Sequence, residues 1–234
     1  MSNVIELKEI NKYYKMKENR LHALKSINLD IEQGDFLVIM GKSGSGKTTL
    51  LNLLGFLDSF DEGIYMFNGK DVTGLNENQK SELRNNYMGF IFQQFHLIDS
   101  LTIGQNVELP LLYKGNIPHK ERNAAIDKYL DMVGLLDKKD RFPSELSGGQ
   151  QQRIAIARAL INNPYVIFAD EPTGALDSNT GIEIMEILKK LNEDNKTIIM
   201  VTHDEDLVRY ANKVIRIKDG FVTKTVNDMV KKEI

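Results

Sequence analysis

The chain has 234 residues, 41% of them hydrophobic and 27% charged, with a formal net charge of −3 and no cysteine. That composition suits one large or two small globular domains, and its acidic balance argues against broad, charge-driven binding to nucleic acid or anionic membrane. Without cysteine there is no disulfide, thiolate metal site or thiol catalysis.

Residues 1–8 lack a basic cluster followed by an apolar stretch, so no secretory leader is expected. The longest apolar runs, such as residues 36–40, fall far short of the ~20 residues that span a bilayer. A soluble chain is expected, with any membrane span supplied by another chain.

Residues 4–14 and 23–31 alternate in polarity, as antiparallel strands with one wet face do. Residues 36–40 are apolar throughout, which predicts a buried parallel strand, and a helix is expected over 47–55. Residues 63–67 read as a further strand, ended by the Asn68-Gly69 turn signal. A second buried strand is predicted at 89–92. From Phe95 to about Leu160 strand signals are missing and the pattern is helical, most clearly over 120–133 and 149–161. Buried strands return at 165–169 and 197–201, with a helix over 182–192 between them. Residues 214–217 and 221–225 form a closing hairpin around Lys218-Asp219-Gly220.

Strands alternating with helices predict an α/β fold with a mostly parallel core sheet. An N-terminal antiparallel β subdomain and an inserted α-helical subdomain complete it. The expected organisation is a single domain over 1–234. Its core is 1–94 and 161–234, and its helical lobe is 95–160.

The chemistry gathers at predicted strand ends. Gly41, Lys42, Ser43, Gly44, Ser45, Gly46, Lys47 and Thr48 fit G-x-x-x-x-G-K-[ST], between a strand and a helix, with Thr49 closing the segment. The glycines let backbone N–H groups turn toward phosphate oxygens, and the helix N-terminus adds partial positive charge. Lys47 is expected to reach the outer phosphates and the Thr48 hydroxyl to ligate Mg²⁺. Asp170 and Glu171 follow the 165–169 strand, one placed to hold Mg²⁺ and the other to polarise an attacking water. Gln93 and His203 end two other strands. Ligands of open α/β sheets bind at such carboxyl ends.

Ser147, Gly148, Gly149 and Gln150 precede a helix that carries Arg153 and Arg158. Ser147 with Gln150 fits a capping box, while the two glycines leave bare N–H groups suited to an anion. Spacing alone leaves open which phosphate such a segment would serve.

In that order these motifs resemble the nucleotide-binding subunits of ATP-binding cassette transporters, a P-loop NTPase family, over essentially the whole chain. Gly41–Thr48 resembles the Walker A loop, Gln93 the Q-loop, and Leu146–Gln150 the signature motif. Residues 165–170 resemble Walker B, Glu171 the catalytic glutamate, Ala175-Leu176-Asp177 the D-loop, and His203 the switch histidine. The resemblance implies ATP and Mg²⁺ as cofactors. Mg²⁺ would be held by Thr48, Gln93 and Asp170, and catalysis would rest on Glu171, His203, Lys47 and Gln93. It implies an aromatic that stacks on adenine just after the first strand. Tyr14, before Lys15-Met16, is favoured over Tyr13, and a strand-surface tyrosine is the alternative.

The resemblance further implies a head-to-tail homodimer in which Ser147–Gln150 face the nucleotide of the second copy, and it places Asp177 among the nucleotide-binding residues. Phe92–Ile98, Glu108–Leu111 and Ala169–Asp177 are similar to the macrolide-export, lipoprotein-release and cell-division branch of the family. ATP-driven dimerisation would then power a membrane permease with an extracytoplasmic domain, gripped through Gln94–Tyr113. The apolar residues of 101–113 could equally be the lobe's own core. Export or extraction of a peptide, drug or lipoprotein-type substrate is implied. A non-transport complex in cell division or peptide sensing is the alternative. A periplasmic or extracellular adaptor is a possible further partner, nucleic acid is not, and the expected location is cytoplasmic, on the inner face of the membrane.

Overall fold

The computed structural model describes residues 2–16 and 19–227. Met1, in the N-terminal segment read above, and the last residues of the predicted domain lie outside them. Contacts divide the chain into two units, residues 1–81 with 192–234, and residues 82–191.

In the first unit, β1 (Asn3–Lys15) and β2 (Arg20–Glu32) pair antiparallel, and β4 (Glu62–Phe67) and β5 (Lys70–Asp71) extend the sheet in the order β2-β1-β4-β5. From Ile5 polarity alternates along β1 until Lys8 and Glu9, which are both exposed. A bulge there, with Glu9 at φ 51°, moves the phase by one and returns Ile10 to the core. Gly63 lies against this bulge at φ 111°, and a Cβ on it would sit 2.7 Å from the carbonyl oxygens of both Lys8 and Glu9.

β3 (Phe36–Met40) runs parallel to both β8 (Thr197–Val201) and β9 (Lys213–Lys218). β10 (Phe221–Asn227) returns antiparallel along β9. Every residue of β3 and β8 is buried, which is why both are unbroken apolar runs. Each large side chain so buried contributes roughly 1.5–3 kcal/mol against exposure. Both predicted hairpin turns place two successive residues at positive φ: Asn68 and Gly69 at 49° and 73°, Asp219 and Gly220 at 51° and 83°. Such turns match the twist of the strands they join. α1 (Lys47–Leu54) follows β3 and buries Leu50, Leu51, Leu53 and Leu54.

Sequence reading missed α2 (Glu77–Tyr87), none of whose residues is buried. With no apolar face it has no helical periodicity to detect. Its start is nevertheless encoded: the Asn76 side chain accepts from the Gln79 N–H, and the Gln79 side chain accepts from the Asn76 N–H, both at 3.0 Å.

In the second unit, β6 (Met88–Phe92) and β7 (Val166–Asp170) are parallel, with Phe90 stacked on Phe168 at 5.3 Å. α3 (Ile103–Tyr113), α4 (His119–Met132) and α5 (Gly148–Leu160) pack together, and α5 lies so close to β6 that a Cβ on Gly89 would strike the Ala159 carbonyl. α3 buries Ile103, Val107 and Leu111 but leaves Leu112 and Tyr113 exposed, Tyr113 at 82%. Both readings of its apolar residues therefore have residues to draw on. α6 (Ser178–Glu193) begins four residues earlier than the apolar pattern at 182–192 indicated.

Gly63→Ala should cost about 2 kcal/mol or more, because it adds a backbone clash to the left-handed strain. Gly69→Ala, at φ 73° with no atom near its Cβ site, should cost only about 1 kcal/mol. Urea denaturation of the two variants checks this, and equal losses would remove the bulge contact from the account.

Candidate functional site

The glycine-rich segment leaves β3 and enters α1 as expected. Gly41 passes where a Cβ would strike the Ile217 carbonyl and lie 2.6 Å from Ser45 Oγ. Gly46, at φ 109°, is the residue before the helix, and a Cβ there would be 2.9 Å from the Ala23 carbonyl. The segment is braced by the β9–β10 turn: Gly220 N–H donates to the Ser45 carbonyl at 3.1 Å, and Lys25 N–H to the Gly220 carbonyl at 2.8 Å.

Three observations make this loop fit an anion. α1 opens with no side-chain cap and no acid in its first turn, so no capping side chain competes for its leading N–H groups. Lys47 Nζ rests on the carbonyls of Gly41 and Lys42, at 2.8 and 3.0 Å. Ser45 Oγ is buried and has no hydrogen-bond partner. A phosphate offers acceptors to all of them. Thr48 is exposed in the first turn of α1. Among the described residues no group of three or more His, Asp or Glu could hold a metal alone.

The two candidate tyrosines differ in surroundings. Tyr13 stacks on the His22 ring at 4.2 Å and has the Arg20 guanidinium 4.9 Å from its centre. Tyr14 is more than a third exposed and donates its O–H to Asp58 Oδ2 at 2.6 Å. Burial first, and the Asp58 bond second, raise the Tyr14 phenol above its ordinary pKa, while a hydrogen bond with the Thr49 side chain opposes them. Tyr14 thus sits beside the end of the glycine-rich segment.

Asp58 also accepts from Lys12 Nζ at 2.7 Å and from the Ser59 N–H at 2.7 Å. Burial pushes its carboxyl up, but the bonds from Lys12, Tyr14 and Ser59 outweigh that and hold it below the usual carboxylate value. Sequence reasoning missed this pair. The available signal was Lys12 itself, a lysine two residues beyond the core residue Ile10 and so on the buried face, where it needs a partner.

In the second unit, Gln93 is the exposed residue directly after β6, and Asp170 is the last residue of β7. Glu171 follows at φ 47°, a left-handed conformation rare outside glycine. A Cβ on Gly174 would lie 2.9 Å from Gln93 Nε2, so this turn and the Gln93 side chain are neighbours. Arg158 fixes the segment after Gln93 by donating to the carbonyls of Phe95 at 2.8 Å and His96 at 2.5 Å. Burial lowers the pKa of its guanidinium. In the first unit, His203 is exposed two residues past β8.

The capping box at α5 is present. Ser147 Oγ accepts from the Gln150 N–H at 3.4 Å, and Gln150 Oε1 accepts from the Ser147 N–H at 3.1 Å. The serine bond is long, and its hydroxyl proton is not used by the cap. Gly149 is required by packing, since a Cβ would collide with Thr180 Cγ2, whereas at Gly148 the nearest atoms stand 3.5 Å away. Asp177 caps α6: its carboxylate accepts from the Thr180 N–H at 3.1 Å and the Thr180 O–H at 2.6 Å, which holds its pKa down.

Comparison with known proteins places these features in context. A family model described as "ABC transporter" matches residues 24–174. The macrolide export ATP-binding/permease protein MacB of Aggregatibacter actinomycetemcomitans is 49% identical over 232 residues, 99% of this chain and 35% of that protein. The uncharacterized ABC transporter ATP-binding protein MJ1508 of Methanocaldococcus jannaschii is 50% identical over 224 residues, 96% of this chain and 100% of that one. The solved dimeric, post-hydrolysis structure of the ATP-binding cassette MJ0796 bound to ADP and Pi superposes with a TM-score of 0.88 at 45% identity, covering 98% of this chain and 100% of that one. The chain spans about a third of the length of the MacB relatives. No helix among the described residues is long and apolar enough to cross a membrane.

Asp58→Asn should destabilise the fold by about 1–3 kcal/mol at neutral pH, because it leaves Lys12 buried beside a neutral partner. A carboxyl held below its unfolded value contributes stability that is full above that value and lost as pH falls through the folded one. The gap between wild type and Asp58→Asn should therefore narrow as pH falls below about 4. Denaturation curves across that range measure it.

Proposed function

The chain belongs to the ABC transporter family, and from that membership we propose that it binds and hydrolyses ATP to drive a membrane permease. The observation that carries this reading is the loop from Gly41 to Thr49. It ends in an uncapped helix and leaves Ser45 Oγ without a partner and Lys47 resting on two carbonyls. In this reading the backbone N–H groups and Lys47 hold the β- and γ-phosphates, and Tyr14 stacks on the adenine. Thr48, Gln93 and Asp170 are the proposed Mg²⁺ ligands; the ion, when bound, neutralises charge developing between the two outer phosphates. Glu171 polarises the water that attacks the γ-phosphorus, the bond to the ADP oxygen breaks, and His203 reads the γ-phosphate.

We further propose that the working assembly is a head-to-tail pair of identical chains. The MJ0796 cassette, similar over nearly the whole chain, was solved as a dimer with ADP and Pi. In such a pair the helical lobe, residues 95–160, presents Ser147, Gly148, Gly149 and Gln150, with Asp177, to the nucleotide of the other copy. The cap at α5 is compatible with this, because the Ser147 hydroxyl keeps its proton to donate.

The permease is proposed to dock on the second unit through residues 94–113. A cavity of about 290 Å³ lies there, lined by Phe90, Phe92, His96, Pro110, Arg158 and Asn162 among others. The exposed Leu112 and Tyr113 end the same helix, α3. Export of a drug, peptide or lipoprotein-type substrate is the reading that the MacB relatives favour. The chain would then work on the cytoplasmic face of the membrane.

Two substitutions test the site. Lys47→Ala should weaken ATP binding by about 100-fold or more, since it removes the charged contact to the outer phosphates; unchanged affinity in a fluorescent-nucleotide titration would sink the loop assignment. Glu171→Gln should slow phosphate release by about 10²–10⁴-fold with affinity intact. Normal turnover in that variant would remove Glu171 from the chemistry.

A further inference from the structure

α5 carries one polar side chain that is wholly shut off from solvent. Gln152 is 0% exposed, on the turn of helix after Ser147–Gln150. Its Nε2 donates to the Pro172 carbonyl at 2.6 Å and, over a longer 3.4 Å, to the Phe92 carbonyl. Its Oε1 is buried and has no hydrogen-bond partner. A buried acceptor left unmatched is unfavourable, and an apolar residue of the same length would avoid that loss. Packing alone therefore does not account for an amide at this position.

Its two acceptors do. The Phe92 carbonyl belongs to the peptide bond that leads into Gln93. Pro172 directly follows Glu171, whose backbone holds the strained φ of 47° and whose carbonyl accepts from the Gly174 N–H at 3.0 Å. Gly174 in turn borders the Gln93 amide. One side chain of α5 thus ties down the backbone on the far side of both proposed reaction residues. It does so from the helix whose N-terminus is proposed to face the other copy's nucleotide.

We propose that Gln152 is a positioning residue for hydrolysis: its amide sets Gln93 and Glu171 in register with the signature end of α5. A displacement of α5 when its N-terminus meets nucleotide is passed by this one group to the water-polarising carboxylate. The proposal rests on the reading of Glu171 and Gln93 given above. The Gln152 side chain is wholly buried and bonds to backbone carbonyls, so its loss acts on turnover and not on affinity.

The test compares Gln152→Met, which keeps length and loses both donors, with Gln152→Glu, which sets a carboxylate against the two carbonyls. Glu171→Gln is assayed alongside. ATP affinity by fluorescent-nucleotide titration, kcat and KM by phosphate release, and Tm are measured on the full chain. Gln152→Met should bind ATP within about twofold of wild type, with KM unchanged and kcat lowered about tenfold or more, as misplacement of a reacting group does. Gln152→Glu should lower kcat further. Wild-type kcat in Gln152→Met, while Glu171→Gln is inactive, overturns the role of Gln152 alone. Wild-type turnover in Glu171→Gln overturns the underlying reading instead. Parallel loss of affinity and kcat, or failure of both Gln152 variants to fold, would assign Gln152 to packing and also overturn the proposal.

Discussion

Where β3 turns into α1, the backbone must pass other backbone without side chains between them. Gly41 slides under the Ile217 carbonyl and Gly46 under that of Ala23, so neither position admits a Cβ. The helix that follows then opens with no side chain to cap it. Much of the first unit serves this corner. β3 is held on both sides by parallel neighbours, and the β9–β10 turn closes over the loop through Gly220. The result is a stretch of polar backbone, with Ser45 Oγ and Lys47, whose hydrogen-bonding capacity the protein itself does not use up. Such a loop gains stability from whatever anion fills it, so folding and ligand binding are linked here.

Apart from α4, which follows Pro118 and is also uncapped by a side chain, the other helix starts show the contrast. α3, α5 and α6 begin at Thr102, Ser147 and Asp177, each with a side chain that accepts from the first turn. At Ser147 and Asp177 a cap coexists with a proposed part in the site of a second copy. A capped terminus offers fewer free donors than α1 does. In the proposed pair the division of labour would be asymmetric: the loop of one chain would hold most of the nucleotide's charge, and the signature end of the other would complete the enclosure.

Much of the fold was legible because its signals were local. Unbroken apolar runs marked β3, β6, β7 and β8, and the Asn68-Gly69 and Asp219-Gly220 pairs marked two hairpins. The phosphate-loop pattern, with its strand before and helix after, was readable for the same reason. α2 was not, since a helix with no buried residue has no period, and only the Asn76–Gln79 cap announced it. The early start of α6 was hidden likewise, because a cap at Asp177 and not an apolar face sets it. The bonds of Asp58, Gln152 and Arg158 escaped sequence reading because the partners are 46, 20 and 63 residues away. A buried polar residue announces that it needs a partner without saying which.

The central claim is that the Gly41–Thr49 loop is half of a site that a second copy completes. It is tested most directly by the mass in solution of the Glu171→Gln chain, measured by light scattering with Mg·ATP, with Mg·ADP and without nucleotide. The account predicts a doubling of mass with Mg·ATP alone, abolished when Ser147 is also replaced by a bulky, charged residue. A chain that stays single at every protein concentration while saturated with ATP would contradict it.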